Sequence, residues 1–149
     1  MNYLEFSRVG NYLLINDTDI QNLIKDGTEV RKFAYTPYSG FKVGAALLCN
    51  DGTVYKGCNI ENSSFPVGVC AERTAIVKAV SEGKTKFKAL AVIADLQNGT
   101  ITTPCGMCRQ AIAEFGDITL YLTRSDMKSV WRIKSSNLLP FSFVLENDK

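Results

Sequence analysis

The apolar positions of the chain change period several times, and each change marks an element. Ile20, Leu23, Ile24, Val30 and Phe33 recur at helical spacing, which predicts a helix over 18–33, weakened at Gly27. Thr18-Asp19-Ile20-Gln21 reads as its capping box, a hydroxyl followed three residues later by an amide. Pro37, Ser39 and Gly40 end that pattern and open a loop. Phe41 to Cys49 reads as a strand, Asn50-Asp51-Gly52 as a hairpin turn and Thr53 to Asn59 as the return strand. After a loop over 60–69, a second helix is predicted from Cys70 to Glu82 with Gly83 as its stop. The unbroken apolar run within Lys88 to Asp95 predicts a buried strand. Pro104 opens a short helix over 105–115, ended by Gly116. Ile118 to Thr123 and Val130 to Ile133 complete the strands, and residues 1–16 form an irregular lead-in with a short strand at Tyr12 to Ile15.

Strands alternating with helices define an α/β fold whose helices cover a central sheet. The opening hairpin makes that sheet mixed, with about five strands. No repeat, low-complexity tract or linker divides the 149 residues, so 1–149 is expected to be a single domain. Composition agrees: 46% hydrophobic and 21% charged residues are ordinary globular values. Lys and Arg number 17 against 15 Asp and Glu, a net +2 that demands no polyanion partner and disfavours a basic nucleic-acid-binding domain. No apolar run approaches the roughly 18 residues of a membrane span, and the N-terminus lacks the features of a secretory signal. The expected setting is therefore cytoplasmic, with the five cysteines as thiols or metal ligands rather than disulfides. The chain has no histidine, which removes His-based acid–base catalysis and every His metal site.

Chemistry concentrates in the cysteines. Cys70 and the Pro104-Cys105-Gly106-Met107-Cys108 pair fall at predicted helix starts, where partial positive charge and free amides favour thiolates. Cys105 and Cys108 are three apart and share a helix face, a familiar half-site for zinc. Arg73, three residues beyond Cys70, is a fixed cation near the same sulfurs. Three ligands leave one zinc position for water, which the metal makes acidic near neutral pH. Glu72 is then the proton carrier, provided that Cys70 lies at the entry to its helix. Cys58 as a fourth ligand would instead close the site and make it structural. By default Cys49 and Cys58 are small buried hydrophobes.

Cys70-Ala71-Glu72 with the distant Pro104-Cys105-Gly106-Met107-Cys108 is the known signature of zinc-dependent deaminases in its three-cysteine form. Tyr38-Ser39-Gly40-Phe41-Lys42-Val43-Gly44-Ala45-Ala46-Leu47, Gly57-Cys58-Asn59-Ile60-Glu61-Asn62 and Cys70-Ala71-Glu72-Arg73-Thr74-Ala75 narrow the likeness. From about Tyr35 to Phe143 the chain resembles the small, homotetrameric, three-cysteine cytidine deaminases. The resemblance implies a three-layer α/β/α fold, one zinc per subunit on Cys70, Cys105 and Cys108, and a homotetramer. It implies hydrolytic deamination of free cytidine and deoxycytidine, a step of pyrimidine salvage, in which Glu72 moves a proton from water to the ring and helps ammonia depart. Asn59 and Glu61 would bind the ribose hydroxyl, the Ala71 amide the base carbonyl, and Phe41 would line the base pocket. Phe143 would reach a neighbouring subunit's site, and Arg73 would balance the thiolate charge. Lys42, Phe65 and Asn137 depart from common family residues without touching the zinc ligands or Glu72. Two other readings stand beside this one: a deaminase of another cytosine-bearing compound or of polynucleotide cytosines, and a zinc-stapled binding module without catalysis.

Overall fold

The structure, a computed structural model, describes residues 6–145. Its elements run β1 (Ser7–Gly10), α1 (Thr18–Val30), β2 (Val43–Cys49), β3 (Val54–Cys58), α2 (Ala71–Ser81), β4 (Phe87–Ala94), α3 (Gly106–Ala113), β5 (Thr119–Thr123), β6 (Val130–Lys134) and α4 (Ser135–Leu138). The strands form one mixed sheet in the order β1-β6-β5-β4-β2-β3, in which β4 and β5 are parallel and all other neighbours antiparallel.

Strands β2 and β4 lie inside the sheet and are covered on both sides, which is why every residue of Val43–Cys49 is apolar and buried. Side chains alternate between the two faces. Ala46, Leu48, Ala91 and Ile93 meet Ile20, Leu23 and Ile24 of α1 on one side. Ala45, Leu47, Leu90, Val92 and Leu120 meet Ala71, Ala75, Ala79 and Ile112 of α2 and α3 on the other. The result is the expected α/β/α sandwich with a mixed sheet, of six strands rather than about five.

The sixth strand is β1, and it corrects the reading of the lead-in. Tyr12–Leu14 is a 3-10 helical turn, not a strand, because the Asn11 side chain accepts from the Leu13 amide and caps it. The strand is Ser7–Gly10, which pairs with β6. The cap of α1 also lies one residue earlier than expected. Asp17 accepts from the amides of Asp19 and Ile20, while Gln21 reaches back to the Ile15 carbonyl. The α-helix ends at Val30, and residues 31–33 tighten into a 3-10 turn.

Because β2 is antiparallel to both β3 and β4, the last two point the same way. Their C-terminal ends therefore share one edge of the sheet, and each leads into a helix on the same face, β3 into α2 and β4 into α3. That topology brings two helix N-termini together. Among the described residues, no helix is long and apolar enough to cross a membrane.

Candidate metal centre and active site

The Sγ atoms of Cys70, Cys105 and Cys108 lie within 4.8 Å of one another, the Cys70–Cys105 pair at 3.7 Å. Cys70 is the N-cap of α2 (φ −73°, ψ 154°) and Cys105 the N-cap of α3 (φ −67°, ψ 169°); Cys108 sits in the first turn of α3. Extended backbone at Cys70 removes the geometric objection to Glu72. A residue two positions along a helix would point away, but Cys70 is still outside the helix, and Glu72 sits in the first turn beside Cys70 and Cys108.

Glu72 is only 4% exposed. Burial is the main cause that pushes its carboxyl above the usual carboxylate range, with the Cys70 charge adding to it. The Cys70 thiol is held low, chiefly because Cys108 donates to its sulfur, with Cys105 and Arg73 helping against the effect of burial; the same contact pushes the Cys108 thiol up. Arg73 donates to the Gly68 carbonyl at 3.4 Å, and its Nε is buried without a hydrogen-bond partner among the described residues.

These features fit zinc. Tetrahedral coordination with Zn–S of about 2.3 Å places sulfurs roughly 3.8 Å apart, close to the observed 3.7 Å. The donors are soft thiols, a proton shared between sulfurs can be replaced by a dication, and an orphaned guanidinium nitrogen stands next to what would be an anionic centre. Neither Cys58 nor Cys49 joins the cluster, so the closed four-cysteine alternative is not formed among the described residues.

A second group of the residues singled out lies at the end of β3. Both groups of the Asn59 amide hold backbone: Oδ1 accepts from Val43 N (2.8 Å) and Nδ2 donates to Phe41 O (2.8 Å). Arg31 Nε donates to Lys42 O, and the Phe41 amide donates to Ser39 Oγ, so the Phe41–Val43 segment is tied down at four points. The Glu61 carboxylate accepts from the Ser39 hydroxyl and from the amides of Tyr38 (2.9 Å) and Ser39 (3.2 Å), which together hold it below the usual carboxylate range against the effect of desolvation. Tyr38, Ser39, Glu61, Asn62, Phe65 and Gly68 line a cleft of about 390 Å³, to which the cysteines contribute no wall.

Of the residues singled out in the sequence, Cys70, Ala71, Glu72, Arg73, Cys105 and Cys108 thus come from two helix starts at one locus, and Phe41, Asn59 and Glu61 form the hydrogen-bonded end of β2 and β3. Phe143 stands apart, 69% exposed, its backbone held by a reciprocal pair of hydrogen bonds to the Gln110 amide on α3. Arg109 was not foreseen. It donates to Pro104 O, Thr103 Oγ1 and Leu138 O, joining the loop that carries Cys105 to the end of α4. Its place directly after Cys108 was the only signal available.

A fold of this topology with three thiols and a buried carboxyl at two converging helix starts defines a zinc-dependent deaminase. A family model for the cytidine and deoxycytidylate deaminase zinc-binding region matches residues 17–123, and the chain belongs to that family. It is 50% identical over 133 residues to a cytidine deaminase of Sporosarcina psychrophila, covering 87% of this chain and 94% of that one. It is 47% identical over 131 residues to a cytidine deaminase of Halalkalibacterium halodurans, covering 87% and 97%. The crystal structure of cytidine deaminase from Burkholderia pseudomallei superposes with a TM-score of 0.77 at 41% identity, covering 82% of this chain and 97% of that one.

Proposed function

We propose that the protein is a zinc-dependent cytidine deaminase, converting free cytidine and deoxycytidine with water to uridine and deoxyuridine and ammonia. The observation that carries this reading is the buried Glu72 carboxyl beside three converging thiols. When bound, zinc supplies the Lewis acidity that makes water a nucleophile near neutral pH. The chain supplies the rest. Cys70, Cys105 and Cys108 hold the metal. Glu72 takes a proton from the attacking water, delivers it to the ring nitrogen next to the reacting carbon, and assists the departing amino group as ammonia. Its burial supports this role, because a carboxyl shielded from water binds a proton more readily than an exposed one and so is suited to take one from the attacking water.

The Ala71 amide, which helix geometry leaves without an intrahelical acceptor, donates to the base carbonyl. Phe41 covers the base, and Asn59 and Glu61 face the sugar hydroxyl. Arg73 balances the thiolate charge. A homotetramer is the proposed working form, with Phe143 entering a neighbour's site. Exposure of Phe143, Phe65 and Phe33, large apolar side chains left to solvent in the single chain, supports association. The single-domain reading and a cytoplasmic role in pyrimidine salvage go with it, the free thiols suiting a reducing compartment.

The test is an assay on zinc-analysed protein. Ammonia and uridine from cytidine are expected at one zinc per chain. Folded, zinc-loaded protein that leaves cytidine and deoxycytidine intact overturns the reading, and turnover of another cytosine compound in their place reassigns the substrate. Sedimentation of active enzyme as a monomer overturns the tetramer and the role of Phe143.

A further inference from the structure

We infer that Gly57 is a positioning residue for the metal centre: the absence of a side chain there sets how closely the first turn of α2 sits on the sheet. The inference rests on the three-cysteine centre described above and not on which nucleoside is deaminated.

Gly57 lies in β3, paired with Ala45 of β2. A Cβ built on it meets the Ala71 carbonyl oxygen, the Ala75 nitrogen at 2.5 Å and Thr74 Cβ at 3.0 Å. Two of these are backbone atoms, which no rotamer change can remove, and they belong to the turn that follows Cys70 and contains Glu72. The interface around them is lined with small residues, Ala45, Ala71, Ala75 and Ala79, all fully buried. The helix is thus seated by the lack of side chain, and close packing leaves no slack for an added methyl.

A methyl at this position must separate β3 from α2. If α2 yields, Cys70 moves relative to Cys105 and Cys108, which ride on a different helix. Strand β3 is held by its ladder to β2, so the displacement falls on α2 and with it on Cys70.

Gly44 supplies an internal control. A Cβ there would also strike backbone, Gly27 O and Arg31 N (2.9 Å), but these belong to α1 and the 3-10 turn that follows it, on the opposite face. Gly44→Ala therefore strains the same sheet without pressing on α2.

The experiment loads wild type, Gly57→Ala and Gly44→Ala with cobalt(II) and records the metal d–d bands. In parallel, zinc release to a chelator is timed. Gly57→Ala should shift the cobalt bands and speed zinc release roughly 10- to 100-fold, the range seen when groups behind metal ligands are disturbed. Gly44→Ala should lower the melting temperature but keep wild-type bands and release. If Gly57→Ala does not fold, Gly57→Ala with Thr74→Gly removes one of the three contacts and is compared with Thr74→Gly alone; the same band shift is expected. Wild-type bands and release in the folded Gly57 variant overturn the inference, as does an equal change in both glycine variants. None of these readouts involves a nucleoside, so failure here leaves the substrate reading intact, and failure of the cytidine assay leaves this inference intact.

Discussion

Cys70 Sγ lies 3.7 Å from Cys105 Sγ, although 35 residues separate them and each caps a different helix. Nothing local holds them together; the sheet does, by sending β3 and β4 to the same edge. Sulfurs brought this close, with Cys108 beside them, could hold one metal ion, and removing one of them should release it. Cys105→Ser should lower zinc from about one per chain toward none by elemental analysis and lower the melting temperature, since metal binding and folding are coupled. Cys58→Ala should keep its zinc. Full zinc in Cys105→Ser would place the metal elsewhere.

Glu72→Gln keeps the shape of the side chain and removes the proton-carrying group. Because the carboxyl is buried and is not one of the three ligands, zinc content and fold should be those of wild type. Turnover should fall by at least about 10²–10⁴, the usual contribution of a positioned acid–base group. Zinc analysis and steady-state kinetics on one preparation check both halves. Turnover near wild type would take Glu72 out of the proton path.

The metal site was largely legible in the sequence because thiols announce their chemistry and the two clusters lie at recognisable helix starts. What sequence could not settle was whether Cys70 lay inside or outside its helix, since one residue of shift reverses where Glu72 points. Gly57 was less visible. Its role depends on a backbone 14 to 18 residues away, and a glycine in a strand pattern reads equally well as a bulge. Gly27, read as a weakness in α1, sits against the Ile93 side chain and the backbone of β2, so the sandwich needs it small. β1 is not legible because Ser-Arg-Val-Gly has no alternation to recognise, while Tyr12–Leu14 reads as a strand although the Asn11 side chain caps it as a 3-10 turn. Asp17 displaced Thr18 as cap because its carboxylate reaches two amides at once.

Asn59 carries a double load. Its side chain holds Phe41 O and Val43 N, so Asn59→Ala leaves two backbone groups of that segment without partners, at a cost of about 1–3 kcal/mol for each that stays buried. The melting temperature should drop, and Phe41 should lose its fixed place. Cytidine KM should rise more than kcat falls, because the metal and Glu72 stand on another element. Unchanged stability in Asn59→Ala would show that these hydrogen bonds do not hold the segment.

Asp95 joins three parts of the chain at the end of β4. Its carboxylate accepts from the Ser125 amide (2.9 Å) and hydroxyl (2.6 Å) and pairs with Arg31 Nη2 (2.9 Å), whose Nε holds Lys42 O next to Phe41. Partial burial works against the charged form, but the Ser125 bonds and the guanidiniums of Arg31 and Arg124 outweigh it, and the carboxyl is held below the usual Asp range. The folded state therefore releases this proton more readily than the unfolded state, whose value is about 3.9. The stabilisation is complete above that value and is lost as pH falls through the lower, folded one. Asp95→Asn should cost about 1–2 kcal/mol near neutral pH. The difference from wild type should stay constant from pH 7 down to about 5 and shrink below about pH 4. Denaturant titrations of the two proteins at matched pH give that difference directly, and any zinc lost in acid is lost from both. A difference that grows on acidification would mean that the Asp95 carboxyl is not the stabilised charge in this corner of the fold.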